Sequence, residues 1–277
     1  MTPPVRVVTD SNAMIPTALV EILSITVVPL TVTIGGEEFV EDASLDVPAV
    51  YRRLRAGEPV TTSAPSPGAF VDAYRTLGPG PIVSVHIGAD YSVTLDSARL
   101  GARLSEVDVV VVDTGTASFL AGCCVLSAAE AARDGADPTA VVAASQRTAH
   151  AVASVFTLAE VERARAGGRL GSAGTSVTDG TAVLHVDHAG VSMIGTAATS
   201  DVASATMLDR IVGLPFRLRI GVGDADAGPV VDELLTELRR RRPADDIIRY
   251  VVGPTVAAHA GMGTFGVVYH PLDDSSA

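Results

Sequence analysis

The sequence of 277 residues has no lysine, only two cysteines and no apolar run long enough to cross a bilayer. All 20 basic residues are arginines, and with 32 acidic residues the formal net charge is −12. This charge argues against binding to a nucleic-acid backbone or to anionic lipid headgroups, because both require a basic face. The longest apolar candidate, residues 119–132, is interrupted by Ser127 and Glu130, whereas a spanning helix needs about 18 apolar residues.

The two cysteines, Cys123 and Cys124, are adjacent in a segment whose pattern predicts a buried helix. Adjacent cysteines rarely form a relaxed disulfide with each other, so we interpret both as small core side chains. The first ten residues also lack the apolar stretch that is typical of a secretory signal. These features together predict a cytoplasmic protein without a transmembrane segment.

Composition and length predict a folded protein of two domains. Hydrophobic residues make up 47% of the chain, which is enough to bury a sizeable core, and domains average about 150 residues. Short apolar runs alternate with helical patterns, which is typical of an α/β fold whose N-terminal sheet is mainly parallel. The pattern changes near residue 155, so we predict an N-terminal α/β domain over 1–155 and a C-terminal α/β domain over 156–277.

Local signals place several elements in the first domain. Gly35-Gly36 between two apolar segments predicts a hairpin. Ser66 followed by Pro67 predicts a capped helix start. The apolar run over 107–112 predicts a strand that is buried on both faces.

Polar residues collect where the predicted strands end, and ligands of open parallel sheets bind at that edge. Hydroxyls and the N–H groups of helix N-termini there would form a neutral anion site, suited to a carboxylate or a phosphate. The same residue types are also common caps and turn residues, so a structural role is the alternative for each loop. The residues are Thr9 to Ser11, then Thr61, Thr62 and Ser63 in the loop before Ser66, then residues 88–94 with Ser92 and Thr94, and residues 113–116.

Two glycine-rich segments lie in the second half. Residues 167–171 contain Arg169 and follow a helical pattern, so their glycines are either a helix cap or part of a site. Residues 253–263 surround His259 with glycines and small residues, a pattern that favours close approach of the backbone to a ligand. Neither segment is a P-loop or a dinucleotide-binding motif, so no cofactor is predicted.

Other clusters carry weaker signals. Residues 185–188 contain two histidines and an aspartate but lie at a predicted hairpin tip, and Asp224 and Asp226 lie in a predicted loop. We interpret both groups as solvated turns rather than metal sites. His86 lies in an apolar segment and is interpreted as a core histidine, and no Ser–His–Asp triad matches a known order. The sequence therefore predicts neither a metal site nor a catalytic nucleophile.

Taken in order, these segments resemble the DegV family over essentially the whole chain. Each motif is short, but several are specific in combination. The matching pieces are residues 8–11, Pro29-Leu30 with the Gly-Gly hairpin, residues 61–68, Ser92, Thr94 and Ser97-Ala98, Asp113-Thr114, residues 167–171 and residues 253–263.

The resemblance implies a two-domain α/β protein that holds a long-chain fatty acid, or a similar amphiphile, in a tunnel between the domains. It implies a partner as well, a separate fatty-acid kinase that binds ATP and makes the acyl phosphate for phospholipid synthesis. Carried over by position, Thr61, Thr62 and Ser63 contact the headgroup, together with Ser92 and Thr94. The resemblance also implies that Arg169 and His259 lie near the headgroup from the second domain.

The chain departs from the family pattern around the headgroup. Gly88-Ala89 stand where the family usually has two serines, and one lost hydrogen bond to a charged group costs about 1.5–3 kcal/mol. Tyr91 replaces a usual aliphatic residue, so its hydroxyl or that of Ser92 is a candidate substitute. The glycine-rich segment after His259 also differs, and the stretch after Arg169 is about three residues shorter than usual.

Two other functions are consistent with the residues. One is an enzyme that acts on a small anionic metabolite, with His259 as acid–base and Arg169 as electrophile. The other is a divergent family member with a collapsed pocket that serves as an interaction partner.

Overall fold

A computed structural model of the protein describes residues 3–159 and 180–272. The chain divides into two compact units. The first unit comprises Met1–His150 together with Gly253–Thr255, and the second comprises Ala151–Val252 and Val256–Ala277.

The first unit is built on a parallel sheet with a small antiparallel sheet beside it. The parallel sheet has the order β2-β1-β6-β7 and the antiparallel sheet has the order β4-β3-β5. The strands are β1 (Arg6–Asp10), β2 (Thr26–Val28), β3 (Thr31–Ile34), β4 (Glu37–Val40), β5 (Val60–Ser63), β6 (Ile82–His86) and β7 (Val109–Asp113). The helices are α1 (Thr17–Ile22), α2 (Val47–Arg55), α3 (Pro67–Leu77), α4 (Thr94–Ser105), α5 (Phe119–Arg133) and α6 (Pro138–Ala151), with a short 3-10 helix at Ser11–Ala13.

All pairs of neighbouring strands in the sheet of β1 are parallel, which confirms the predicted α/β fold class. A core cluster joins Val8 and Ile82 of this sheet to Phe70 and Tyr74 of α3. Helix α5 packs against β1 and β6, and its side chains are buried almost throughout because its sequence is apolar on every side. The sheet is therefore covered by helices, and its carboxyl ends lead into the loops that begin α4 and α5.

Two local predictions are confirmed. Strands β3 and β4 form a hairpin around Gly35-Gly36, with Ile34 opposite Glu37. Helix α3 begins at Pro67, and the Ser66 hydroxyl accepts a hydrogen bond from the Ala69 N–H.

Two local predictions are wrong. Residues 61–63 belong to strand β5 rather than to a loop, because they pair with β3. Residues 107–112 do not form a strand buried on both faces, since β7 is an edge strand on which Val110 is 41% exposed. Within the segment 253–263, Pro254–Ala260 form a helix that the sequence did not predict.

The second unit contains a six-stranded mixed sheet with the order β10-β9-β8-β13-β11-β12. Its core lies between this sheet and two helices, where Met207, Ile211 and Leu234 pack on Leu218 and Ile220. The strands are β8 (Ala153–Leu158), β9 (Thr181–Asp187), β10 (Gly190–Ala197), β11 (Leu218–Asp224), β12 (Asp246–Val251) and β13 (Phe265–Pro271). The helices described are α7 (Ser200–Val212), α8 (Pro229–Arg241) and α9 (Pro254–Ala260).

Within residues 3–159 and 180–272, none of the helices combines the length and the apolar character that crossing a membrane requires.

Candidate ligand site at the carboxyl edge of the parallel sheet

Hydrogen bonds bring together the loops that follow β1, β6 and β7. The Gly88 N–H donates to the Thr116 carbonyl over 2.7 Å, and the Ser118 N–H donates to the Asn12 side-chain oxygen over 2.7 Å. The Thr114 hydroxyl donates to the His86 carbonyl over 2.8 Å. We call this group of loops, residues 11–12, 87–94 and 114–118, the carboxyl edge.

Ser92 and Thr94 form a hydroxyl pair at the start of α4. Their hydroxyl oxygens are 2.8 Å apart, and the Thr94 N–H donates to the Ser92 hydroxyl over 3.2 Å. Thr94 is fully buried and Ser92 is half-buried, so Ser92 is the more accessible of the two.

Helices α4 and α5 both begin at the carboxyl edge, and neither is capped by the side chain of its N-cap residue. Those residues are Val93 for α4 and Ser118 for α5. The first-turn N–H groups of a helix and its macrodipole attract negative charge. The edge therefore offers neutral donors that suit a carboxylate or a phosphate.

The carboxyl edge contains one acidic side chain, the exposed Asp90, and no basic one. Two more acidic side chains lie next to it: Asp96 is exposed in the first turn of α4, and Asp113 is exposed at the end of β7, where it accepts the Gly115 N–H over 2.9 Å. An anion at this edge would thus be held by hydroxyls and N–H groups rather than by a salt bridge.

Tyr91 lies half-buried in the loop that leads to Ser92. Burial, and then the charge of Asp90, raise the pKa of the Tyr91 phenol above its usual 10.0. Tyr91 therefore keeps its proton at neutral pH and can donate a hydrogen bond.

A buried relay of side chains lies directly beneath this edge. The His86 ring contacts Asp10 through Nδ1 over 2.8 Å and Ser84 through Nε2 over 2.6 Å, and the Ser84 hydroxyl is 2.8 Å from the Tyr74 hydroxyl. These four residues are at most 1% exposed. The interpretation of His86 as a buried histidine agrees with this, but sequence reasoning missed its two partners.

The relay forms because strands β1 and β6 pair in one particular register. Ser84 and His86 are two residues apart on β6, which puts them on one face of the sheet. The parallel register pairs Val8 with Ser84, so Asp10 comes level with His86. That register cannot be read from either strand alone.

A second buried carboxylate, Glu41, lies in the first unit. It accepts hydrogen bonds from the Ser11 hydroxyl over 2.7 Å, the Thr255 hydroxyl over 2.7 Å and the Thr255 N–H over 3.0 Å. Burial is the largest influence and raises the pKa of Glu41, while these hydrogen bonds lower it and the charge of Asp10 raises it further.

The described part of the chain holds no cluster of three or more histidine, cysteine or acidic side chains that suits a metal ion. Cys123 and Cys124 are both buried thiols outside any disulfide, and burial raises the pKa of the Cys124 thiol to about 12. A thiol with that pKa is a poor nucleophile at neutral pH.

The tip at residues 187–190 joins β9 to β10, which confirms the predicted hairpin in this segment.

A family model described as an uncharacterised protein of the DegV family matches residues 4–272. This chain belongs to the DegV family. A DegV domain-containing protein of Streptomyces coelicolor is 34% identical over 275 residues, which cover 95% of this chain and 97% of that relative.

Solved DegV structures share the fold over nearly the whole chain. A DegV family protein from Thermus thermophilus, described as binding fatty acid, superimposes with a TM-score of 0.86 at 28% identity and covers 98% of this chain and 100% of its own. DegV from Bacillus subtilis, described as a fatty acid binding protein, gives a TM-score of 0.86 at 25% identity, with 97% and 99% covered.

The structure places Thr61, Thr62 and Ser63 on the edge strand β5. The DegV resemblance predicts that these three residues contact the headgroup. Thr61 and Ser63 are exposed, whereas Thr62 on the alternate face is half-buried. Among the contacts of residues 3–159 and 180–272, no side-chain hydrogen bond joins Thr61 or Ser63 to the Ser92–Thr94 pair.

The other two residues that the DegV resemblance predicts lie in the second half. His259 is half-buried in α9. Arg169 and the rest of residues 167–171 lie outside the described residues.

Gly88, where the DegV resemblance leads us to expect a serine, is packed against backbone. A Cβ atom at this position would lie 2.8 Å from the Gly115 carbonyl carbon and 3.0 Å from the Thr116 nitrogen. Backbone atoms in a hydrogen-bonded loop cannot move aside as a flexible side chain can, so glycine is required here by close approach of the β7 loop.

Proposed function

We propose that this protein binds a long-chain fatty acid, or a similar amphiphile, and performs no chemistry on it. The observation that carries the proposal is its full-length relation to DegV proteins described as fatty acid binding, at 25% and 28% identity. The carboxylate headgroup is assigned to the carboxyl edge of the parallel sheet.

The chemistry of that edge supports the assignment. The Ser92 hydroxyl, the Tyr91 phenol and the N-terminus of α4, whose N-cap residue Val93 has no capping side chain, are neutral donors that suit a carboxylate. Hydrogen bonds to a charged acceptor are worth about 1.5–3 kcal/mol each, so two or three of them supply a large share of the binding energy of a headgroup.

We assign Thr61, Thr62 and Ser63 to the headgroup as well, on the strength of the family resemblance. Arg169 and His259 are assigned to it on the same ground. Single alanine variants of these residues, each compared with wild type for fatty-acid affinity, separate those that contact the headgroup from those that do not.

We propose further that the bound acid is presented to a separate fatty-acid kinase in the cytoplasm, which supplies ATP and feeds phospholipid synthesis. The sequence supports a division of labour, because a P-loop requires a lysine and this chain contains none.

Organic extraction of the purified protein followed by mass spectrometry tests the proposal. The expected result is an acyl ligand present in about one copy per chain. Extraction that yields no acyl chain, together with no uptake of added fatty acid, would show that the protein is not a fatty-acid carrier.

A further inference from the structure

The relay beneath the carboxyl edge is continuous over four side chains. Tyr74 contacts Ser84, Ser84 contacts His86 and His86 contacts Asp10, at 2.8, 2.6 and 2.8 Å. The edge of the Phe70 ring packs on the His86 ring at 5.1 Å between centroids and 85° between planes, which fixes the imidazole plane.

The partners of Asp10 determine which way each hydrogen bond runs. The Asp10 carboxylate already accepts the Asn12 N–H over 3.1 Å and the Ile87 N–H over 3.3 Å, so it is an acceptor toward His86 as well. His86 therefore donates from Nδ1, and in the neutral ring Nε2 accepts from the Ser84 hydroxyl.

Tyr74 completes the relay as its terminal donor. Burial raises the pKa of the Tyr74 phenol to about 12, so Tyr74 keeps its proton and donates to Ser84. All four side chains are then hydrogen-bonded in a single direction, from Tyr74 to the Asp10 carboxylate.

This relay is tied to the loops that bear the proposed headgroup donors. The His86 carbonyl accepts the Thr114 hydroxyl over 2.8 Å, and the next residue, Ile87, donates its N–H to Asp10. The N–H of Gly88 then donates to the Thr116 carbonyl. Residues 86–88 thus join the ends of β1, β6 and β7 immediately before the loop that carries Tyr91 and Ser92.

The arrangement of Ser84, His86 and Asp10 resembles that of a catalytic Ser–His–Asp group, but Ser84 is completely buried. A nucleophile must reach its substrate, and the Ser84 hydroxyl also contacts Tyr74. The geometry suits the positioning of a loop and not acyl transfer.

We propose that His86 is a positioning residue for the fatty-acid site, which holds the loop of residues 87–94 in its ligand-binding arrangement through the relay to Asp10 and Ser84. The proposal rests on the proposed function, because the ligand it names is the fatty acid. Groups that support a binding site from behind change affinity without touching the ligand.

The test combines two buried-hydroxyl variants with oleate titration of the delipidated full-length protein. Ser84→Ala removes the hydroxyl that donates to His86 Nε2. We expect it to weaken oleate binding roughly tenfold, because the imidazole ring then holds the loop of residues 87–94 less firmly.

Ser145→Ala is the matched control for Ser84→Ala. Ser145 is also completely buried in the first unit, its hydroxyl makes no hydrogen bond to any of the described residues, and it belongs to α6 and not to the carboxyl edge. Oleate affinity of this variant is expected to equal that of wild type.

NMR of the histidine side chains gives a readout that loss of stability alone does not move. The ¹⁵N shifts of His86 should show a proton on Nδ1, and this Nδ1–H resonance should shift when oleate is added. The His150 ring, which contacts the Gln146 carbonyl over 2.8 Å on α6, should not shift.

The outcomes separate this proposal from the proposed function. If wild type binds no fatty acid, the proposed function fails and this role of His86 fails with it. Two results would overturn the positioning role alone, provided that wild type binds oleate. One is a folded Ser84→Ala protein that binds oleate as tightly as wild type does, and the other is a His86 signal that does not change when oleate is added.

Discussion

At residue 88 the β7 loop occupies the space that a side chain would need. The Gly115 and Thr116 backbones lie within 3.0 Å of the position of a Cβ atom there. We therefore expect Gly88→Ser, which introduces the serine that the DegV resemblance implies, to lower the free energy of unfolding by about 1–3 kcal/mol, because overpacking shifts backbone. Urea denaturation monitored by circular dichroism measures the change.

Ala89→Ser is the matched control for this change. Ala89 is the neighbouring residue and is exposed, so the added hydroxyl should alter stability by less than about 0.5 kcal/mol. A Gly88→Ser protein as stable as wild type would mean that the loop after β7 can move to make room for a side chain. Packing would then not explain why this chain has glycine at position 88.

Glu41 should make the stability of the protein depend on pH. Its pKa in the folded protein is raised above 4.5, mainly by burial. The folded state therefore holds this proton more tightly than the unfolded state does, and the contribution of Glu41 is full below pH 4.5 and is lost as pH rises through the folded pKa. Glu41→Gln is expected to reduce this fall in stability, as measured by thermal unfolding at a series of pH values.

The adjacent acid Asp42 provides a control of opposite sign. Its pKa is lowered by hydrogen bonds from Ser44, so Asp42 contributes stability above its unfolded pKa. Asp42→Asn should remove that contribution at neutral pH. A Glu41→Gln protein whose pH profile matches that of wild type would show that Glu41 ionises in the folded state as it does in the unfolded chain.

Among the elements, helix α3 depends on its cap. The Ser66 hydroxyl accepts the Ala69 N–H over 3.2 Å, and α3 supplies Phe70 and Tyr74 to the core of the first unit. Ser66→Ala should lower the free energy of unfolding by about 1 kcal/mol, the usual value for such a cap, as measured by urea denaturation.

Ser118 is the comparison for Ser66, because it is the N-cap residue of α5 but its side chain does not cap the helix. Its hydroxyl contacts only the sulfur of Met14, over 3.2 Å, among the hydrogen bonds described for it. Ser118→Ala should therefore cost less than Ser66→Ala. Equal losses would indicate that the Ser66 hydrogen bond contributes nothing specific.

Elements with local causes were predictable from the sequence, and elements with distant causes were not. The Ser66-Pro67 helix start and the Gly35-Gly36 hairpin depend on neighbouring residues, and both are confirmed. Residues 61–63 form a strand because β3 offers them a pairing edge, which their hydroxyl-rich composition does not reveal. Helix α9 was not predicted, because the glycines on either side of it are typical of loops. Pro254 at its start and its alanines nevertheless favour a helix.

The candidate site was also predictable only in part. The placement of hydroxyl loops at the ends of β6 and β7 followed from the general rule for parallel sheets, and hydrogen bonds join those loops. The relay through Ser84 and His86 could not be predicted, since it requires Asp10 from a strand more than seventy residues earlier in the chain. Strand register, and not residue type, brings these groups together.

For the whole molecule, the net charge of −12 should oppose the approach of a fatty-acid carboxylate. Because the donors described at the carboxyl edge are neutral, screening this repulsion should help binding. Raising the salt concentration from about 10 mM to about 150 mM is therefore expected to increase the association rate of oleate, as measured by stopped-flow fluorescence.

The fatty alcohol of the same chain length controls for the effect of salt on hydrophobic binding, since it carries no charge. Its association rate should rise less than that of oleate. Oleate binding that weakens with salt would show instead that attraction to a cation such as Arg169 outweighs the repulsion by the net charge.

The central claim is that this DegV protein is a carrier of fatty acid. Isothermal titration of the delipidated full-length protein with oleate tests it most directly. The account predicts saturable binding of about one oleate per chain, weakened by Ser92→Ala. Absence of saturable binding, in a protein shown by circular dichroism to be folded, would contradict it.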